Sequence, residues 1–269
     1  MTASQPALAQ PPTPAPPAPQ PGRTPGNLEV LIVTVLLLIA GAYVAARAPS
    51  KGANWILELL ILFVFTLCLG RWICGRPLGI LVTERNLMSL SRFQLILWTL
   101  LVLSAFAVIA VQRIRAGIPQ ALSIEVDWHL WALLGISTAS LVGTPLLLAS
   151  KKDQDPAVGV VDKAAKVLNE NSVDINTNRL GRLYSNTDPK DARLTDIFQG
   201  DEVINTAYID PAKLQMFLFT LIVAGSYAYQ IYRSMSAAPA NLAMPAVSPD
   251  MIALLGISHA GYLGSKTAG

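Results

Sequence analysis

The sequence predicts an all-α, polytopic membrane protein with six transmembrane helices, the last four forming two parallel-repeat hairpins. Three observations carry this expectation. Of 269 residues, 52% are hydrophobic and only 14% charged, too little charge to cover a water-soluble surface of that size. The apolar residues gather into runs long enough to cross a hydrocarbon core of about 30 Å as helix. Finally, Ala132-Leu-Leu-Gly-Ile-Ser137 returns letter for letter as Ala253-Leu-Leu-Gly-Ile-Ser258, and the same offset (253 − 132 = 121) aligns Gln94 with Gln215, Thr99 with Thr220 and Gly143 with Gly264.

Residues 1–27 are mostly Pro, Ala and Gln. They have little to bury and read as a disordered or polyproline II spacer, without the basic start and apolar core of a signal peptide. Residues 28–74 form a transmembrane hairpin: Leu28 to Ala46, a tight loop from Arg47 to Asn54 around Pro49, and Trp55 to Ile73 with an indole at each end. Indoles favour the headgroup layer. Glu58 lies one turn from Trp55 and reads as an interfacial carboxylate, wet or paired with Lys51. Residues 75–90 are too short and too charged to span, and are expected to lie along the membrane as an elbow.

Repeat hairpin A follows over 91–150. Its first span runs from Gln94 to Gln112, with Ser89 as N-cap and a turn at Gly117 and Pro119, and its second from Trp128 to about Ala149. Hairpin B covers 211–269, with spans from Leu214 to Tyr232 and from Met251 to about Leu263. Asp210 occupies the position equivalent to Ser89, and Pro211 follows as first helical residue. Both are good helix starts. Gly135, Ala139 and Gly143 fall four apart on one helix face, as do Gly256, Ala260 and Gly264. This small-xxx-small pattern lets helix backbones approach closely in lipid, so the six residues are expected to form a packing seam, with Leu148 pointing outward away from it.

Between the hairpins, residues 151–210 hold most of the acids and many of the bases, and form an insert in water. Pro156 to Asn169 fits an amphipathic helix with Val161, Ala164, Ala165 and Leu168 on one face. Arg193 to Val203 reads as a second elbow, with Leu194, Ile197 and Phe198 touching the bilayer. Asp196, Asp201 and Glu202 have no calcium-loop spacing and read as a solvated acidic surface.

Basic residues give the orientation. Four (Arg71, Arg76, Arg85, Arg92) lie around the elbow and nine between Lys151 and Lys213, against five in the opposite loops. Thirteen against five puts the elbow, the insert and, with six spans, both termini in the cytoplasm.

Composition and motifs exclude several classes. The formal net charge of +3 is small, so no nucleic-acid partner is expected. Cys68 and Cys74 share one apolar run and belong to no ligand cluster, so no disulfide, metal or cofactor is expected. No nucleophile with its base, paired-carboxylate motif or phosphate loop marks an enzyme. Polar intramembrane residues remain as candidates. Gln94 and Gln215 either hydrogen-bond between helices or line a vestibule. Ser137 and Ser258 match across the repeat, whereas His259 stands where the first copy has Thr138. It either relays protons or bonds to a partner helix.

The strings Ser89-Leu-Ser-Arg-Phe-Gln-Leu-Ile-Leu-Trp-Thr99, Asp196-Ile-Phe-Gln-Gly-Asp-Glu-Val203, Lys213-Leu-Gln-Met-Phe-Leu-Phe-Thr220 and Leu254-Leu-Gly-Ile-Ser-His-Ala-Gly-Tyr-Leu263 resemble those of uncharacterised bacterial multi-pass membrane proteins. The similarity covers about residues 70 to 265. It implies a bacterial inner membrane, and brings no activity, cofactor or catalytic residue with it.

Two function classes follow. In the first, the membrane part is a non-enzymatic anchor or assembly subunit whose insert docks a partner. In the alternative, the duplicated hairpin is a small channel or transporter core, with Ser137, Ser258, His259 and the glutamines near its axis. The expected partners are the lipid bilayer and either a second copy of the chain or a cytoplasmic protein.

Overall fold

The computed structural model describes residues 27–47, 51–157, 159–169 and 174–267. The Pro-rich tail and the loop at Pro49 lie outside the described residues. Seven α-helices dominate those residues: α1 Asn27–Arg47, α2 Lys51–Cys74, α3 Leu90–Arg115, α4 Trp128–Lys152, α5 Val160–Asn169, α6 Pro211–Ser234 and α7 Pro249–Thr267. Four of them, α2, α3, α4 and α6, are long and apolar enough to cross a membrane. The apolar stretch of α1 is shorter, from Leu28 to Val44. The 19-residue α7 turns Ser258, His259, Tyr262 and Lys266 inward.

Local chemistry sets the helix ends. Ser89 accepts a hydrogen bond from the Arg92 amide, and Asp210 accepts from Ala212 and Lys213 with Pro211 behind it. A side-chain oxygen thus takes up an amide the first turn leaves free. Asp127 does the same for α4 through the His129 amide. The hairpins start in register, α3 and α6 at Leu90 and Pro211, α4 and α7 at Trp128 and Pro249.

The core lies around α3. Half of its apolar stretch is buried, against 11% for α2. Trp98, Leu101, Ala105 and Ile109 pack against Leu130 and Leu133 of α4, Val223, Tyr227 and Ile231 of α6, and Leu255 of α7. The α1–α2 hairpin leans on this bundle, with the Trp55 indole donating to Ser104 Oγ at 2.9 Å. Glu58 differs from expectation. It is buried between α1 and α2, and a Cβ at Gly41 would come within 2.7 Å of its carboxylate. The carboxylate thus lies over the small Gly41 of α1, in the contact between the two helices instead of at a wet interface.

The elbow also differs. Residues 75–90 contain a short 3-10 helix, Pro77–Leu81, and a turn closed by a Val82–Met88 bridge. Leu81, Val82 and Met88 are buried with Ala192, Ile197, Met216 and Tyr262, so the segment packs against the insert as well as against α6 and α7. Apolar residues expected to meet lipid meet protein instead.

Within the insert, α5 buries Ala164 and Leu168 against Leu87, Ile175, Tyr184 and Val203. Further along the insert is a two-stranded hairpin, Arg179–Leu180 with Leu183–Tyr184, where the Asn-, Asp- and Ser-rich sequence of 171–191 would read as loop. Gly181 turns that hairpin at φ +56, and a Cβ there would lie 2.1 Å from the Lys152 carbonyl. Only glycine tolerates both conditions, and the close approach lets Arg182 N donate to Lys151 O at the end of α4. Of the second elbow, Leu194 is exposed while Ile197 is buried.

Candidate functional site

Lys151, Lys213 and Lys266 lie at the ends of apolar helices, where basic residues are usually solvated. Here each is about 5% exposed. The short β hairpin continues into a bridge between Leu183 and Glu202, and Tyr184 N donates to Asp201 O at 3.0 Å. This holds Asp201 and Glu202 over the helix ends. Asp201 pairs with Arg85 at 2.7 Å, Lys266 at 2.7 Å and Lys213 at 3.2 Å. Lys266 also reaches Asp210, the cap of α6, at 2.9 Å. Glu202 takes Lys151 at 2.7 Å and Arg182 at 2.8 Å. The segment before α3, the end of α4, the start of α6 and the end of α7 therefore converge on two adjacent carboxylates.

The expected solvated acidic surface is thus corrected. Asp196, Asp201 and Glu202 are all buried. Their counter-ions are remote in sequence, Arg85 lying 116 residues from Asp201 and Lys151 lying 51 from Glu202, so no local spacing reveals them. Among the described residues no cluster of His, Cys, Asp and Glu could hold a metal.

Burial alone would raise the Asp201 carboxyl, but Lys213, Arg85 and Lys266 together hold it far below the usual carboxylate range. Asp196 moves the other way. Burial raises it, opposed by the Arg193 and Met88 amides at 2.8 and 3.2 Å. Asp201 is thus a fixed anion, whereas Asp196 tethers the Met88 backbone to the insert. Further ties join the same pieces. Arg76 donates to the carbonyls of Pro189, Lys190 and Ala192, and Asn86 and Asn186 exchange side-chain bonds with each other's carbonyls at 2.8 and 2.9 Å.

Beside this junction is a cavity of about 460 Å³. Leu95, Ile96, Leu141, Pro145 and Leu148 form its apolar wall, and Arg85, Asp201 and Lys213 its polar end. Leu148, expected to point outward, is buried here. No known protein family, curated protein or solved structure matches the chain. The site is therefore read from its own chemistry. From the cavity a polar ladder descends between α4 and α7: the Thr144 hydroxyl lies 3.4 Å from Tyr262 OH, and one turn deeper Ser140 Oγ lies 2.5 Å from His259 Nδ1. Ser137 and Ser258 are buried on the same two helices.

The glutamines separate. Gln94 is buried and donates to Thr220 Oγ1 at 2.5 Å, while Gln215 is exposed. The glycine seam is corrected as well. Backbones do not meet across it within the chain: Gly135 and Gly264 have no atom near an added Cβ, Ala139 and Ala260 are exposed, Gly143 touches only Leu263 and Gly256 only Ile136. The helices meet instead through the Ser140–His259 side, rotated away from the small stripe. Ser140 and Tyr262 escaped the sequence reading because neither matches across the repeat. A clue existed in the helix-end lysines, each one or two residues inside its helix and hence partly within the bundle.

Proposed function

We propose that the chain is a six-span protein of the bacterial cytoplasmic membrane, with both termini and the insert in the cytoplasm. It serves as a non-enzymatic anchor or assembly subunit whose insert docks a partner protein. The observation that carries this reading is the ion-pair junction. Charges from three helix ends and from Arg85 before α3 clamp the insert onto the bundle, and a rigidly held surface binds without first paying to be ordered. The presented face is that of α5, where Asp162, Lys163, Lys166 and Val167 are exposed while Ala164 and Leu168 hold the helix down.

Photo-crosslinking residues at Lys163 or Lys166 in living cells are expected to give a discrete adduct that is lost when the other lysine is changed to Glu. The same residue at Leu122, between α3 and α4, should give none. Absence of any adduct at the α5 positions would end the docking reading.

The polar ladder favours a second reading, a conduction path for protons or small solutes entering from the cavity. In liposomes, flux through the purified protein whose dependence on pH is lost in His259→Thr would support it. Flux no greater than in empty liposomes would leave the ladder as interhelical packing.

A further inference from the structure

The contacts between hairpins A and B are one-sided. Gln94 of A meets Thr220 of B, and Ser140 meets His259. The space over Gly143 is filled by Leu263, and that over Gly256 by Ile136. If the hairpins were related by a simple two-fold, each contact would have a mate within the same chain, found by exchanging equivalent positions across the 121-residue offset. Gln215 would meet Thr99, Gly261 would meet Thr138, Gly264 would meet Val142, and Ile257 would meet Gly135. None of these mates is made: all eight residues are exposed. Ile257 and Val142 are 71% and 55% exposed, and an added Cβ at Gly135, Gly261 or Gly264 would touch nothing.

The hairpins are therefore related head to tail. One face of A is used on B, while the equivalent face of B and the complementary face of A stay open. We propose that these two open faces bind each other between copies of the chain, hairpin B of one molecule receiving hairpin A of a second and repeating the internal interface. The shapes follow from the repeat: Ile257 covers Gly135 of the second copy as Ile136 covers Gly256, and Val142 of the second copy covers Gly264 as Leu263 covers Gly143. Gln215 reaches Thr99 of the second copy as Gln94 reaches Thr220.

The geometry suits a membrane. Both hairpins start at the insert end, so the second copy stands in the same orientation, as identically inserted chains must. A head-to-tail interface with parallel subunits closes into a ring when the rotation permits. Two chains with four hairpins make the smallest such ring. The small residues at Gly135, Gly261 and Gly264 serve close approach between subunits, where packing replaces the hydrophobic drive. The proposal uses the repeat and its contacts alone, and stands whether the docking or the flux reading holds.

The test uses the full chain in lipid nanodiscs, with Cys68→Ser and Cys74→Ser as background. Gln215→Cys and Thr99→Cys are made separately on differently tagged chains. Co-expressed and oxidised, they are expected to give a disulfide-linked dimer carrying both tags, while neither variant expressed alone does. Gln94→Cys with Thr220→Cys in one chain should link internally, which reports that the bundle is folded. Linking of Gln215→Cys to itself as efficiently as to Thr99→Cys would mean a two-fold contact and overturn the head-to-tail assignment. So would an intact internal link together with no intermolecular link, or a native mass equal to one chain.

Discussion

At the scale of single residues, Asp201 bears the largest consequence. Three cations face it with little water, so Asp201→Asn keeps the shape and leaves Arg85, Lys213 and Lys266 repelling one another. Breaking a buried pair by removing one partner costs on the order of 3–5 kcal/mol. Thermal unfolding in detergent should fall accordingly, and trypsin should cut the insert faster, whereas Asp162→Asn on the exposed face of α5 should change neither measurably. The pH dependence has a definite sign. Because the folded carboxyl titrates well below its unfolded value of about 3.9, its stabilisation is complete above that value and is lost as pH falls further, toward the folded value. Unfolding followed from pH 7 to pH 3 should show an acid-side loss in the wild type that is smaller in Asp201→Asn. None of this was legible locally. Asp201 and Glu202 sit in an ordinary acidic stretch, and only the fold brings Arg85 and the helix-end lysines to them. Ser89, Asp210 and Pro211 could be read, because a helix cap acts on amides two or three residues away.

At the scale of elements, apolar period and length revealed the helices, and the repeat revealed which of them correspond. Neither tells which face of a helix turns inward, because in lipid both faces are apolar and the contrast that marks a soluble helix is missing. That is why Gln94 and Gln215, identical in sequence and position, separate into a buried and an exposed residue, and why the glycine stripe turned outward. The two glycines of α4 now differ in what they test. Gly143 already touches Leu263, so Gly143→Leu should overpack the α4–α7 contact and destabilise each chain by about 1–3 kcal/mol. Gly135 faces open space in its own chain, so Gly135→Leu should leave the unfolding of a dissociated chain unchanged while weakening the oligomer. Thermal scans paired with native mass measurements separate the outcomes. Loss of chain stability in Gly135→Leu, with assembly intact, would contradict the assignment of its face.

At the scale of the whole molecule, the ion-pair junction bears on topology independently of any count of charges. Arg85 precedes α3, Lys151 ends α4, Lys213 begins α6 and Lys266 ends α7, so all four meet the insert at one end of the bundle. On the proposed topology, in which both hairpins cross the membrane, residues 116–127 and 235–248, the loops at the far ends of the hairpins, lie on the side opposite the insert. The charge sorting then chooses between the two orientations, since a cytoplasmic excess of Lys and Arg is retained during insertion. With Cys68→Ser and Cys74→Ser as background, a membrane-impermeant maleimide should label Gln120→Cys in intact cells, and Lys166→Cys only after lysis. The reverse pattern would invert the protein without disturbing the junction. Labelling of both positions from outside would mean that α4 does not cross, and would remove the transmembrane reading of hairpin A altogether, because the described structure places these positions at opposite ends of that one helix.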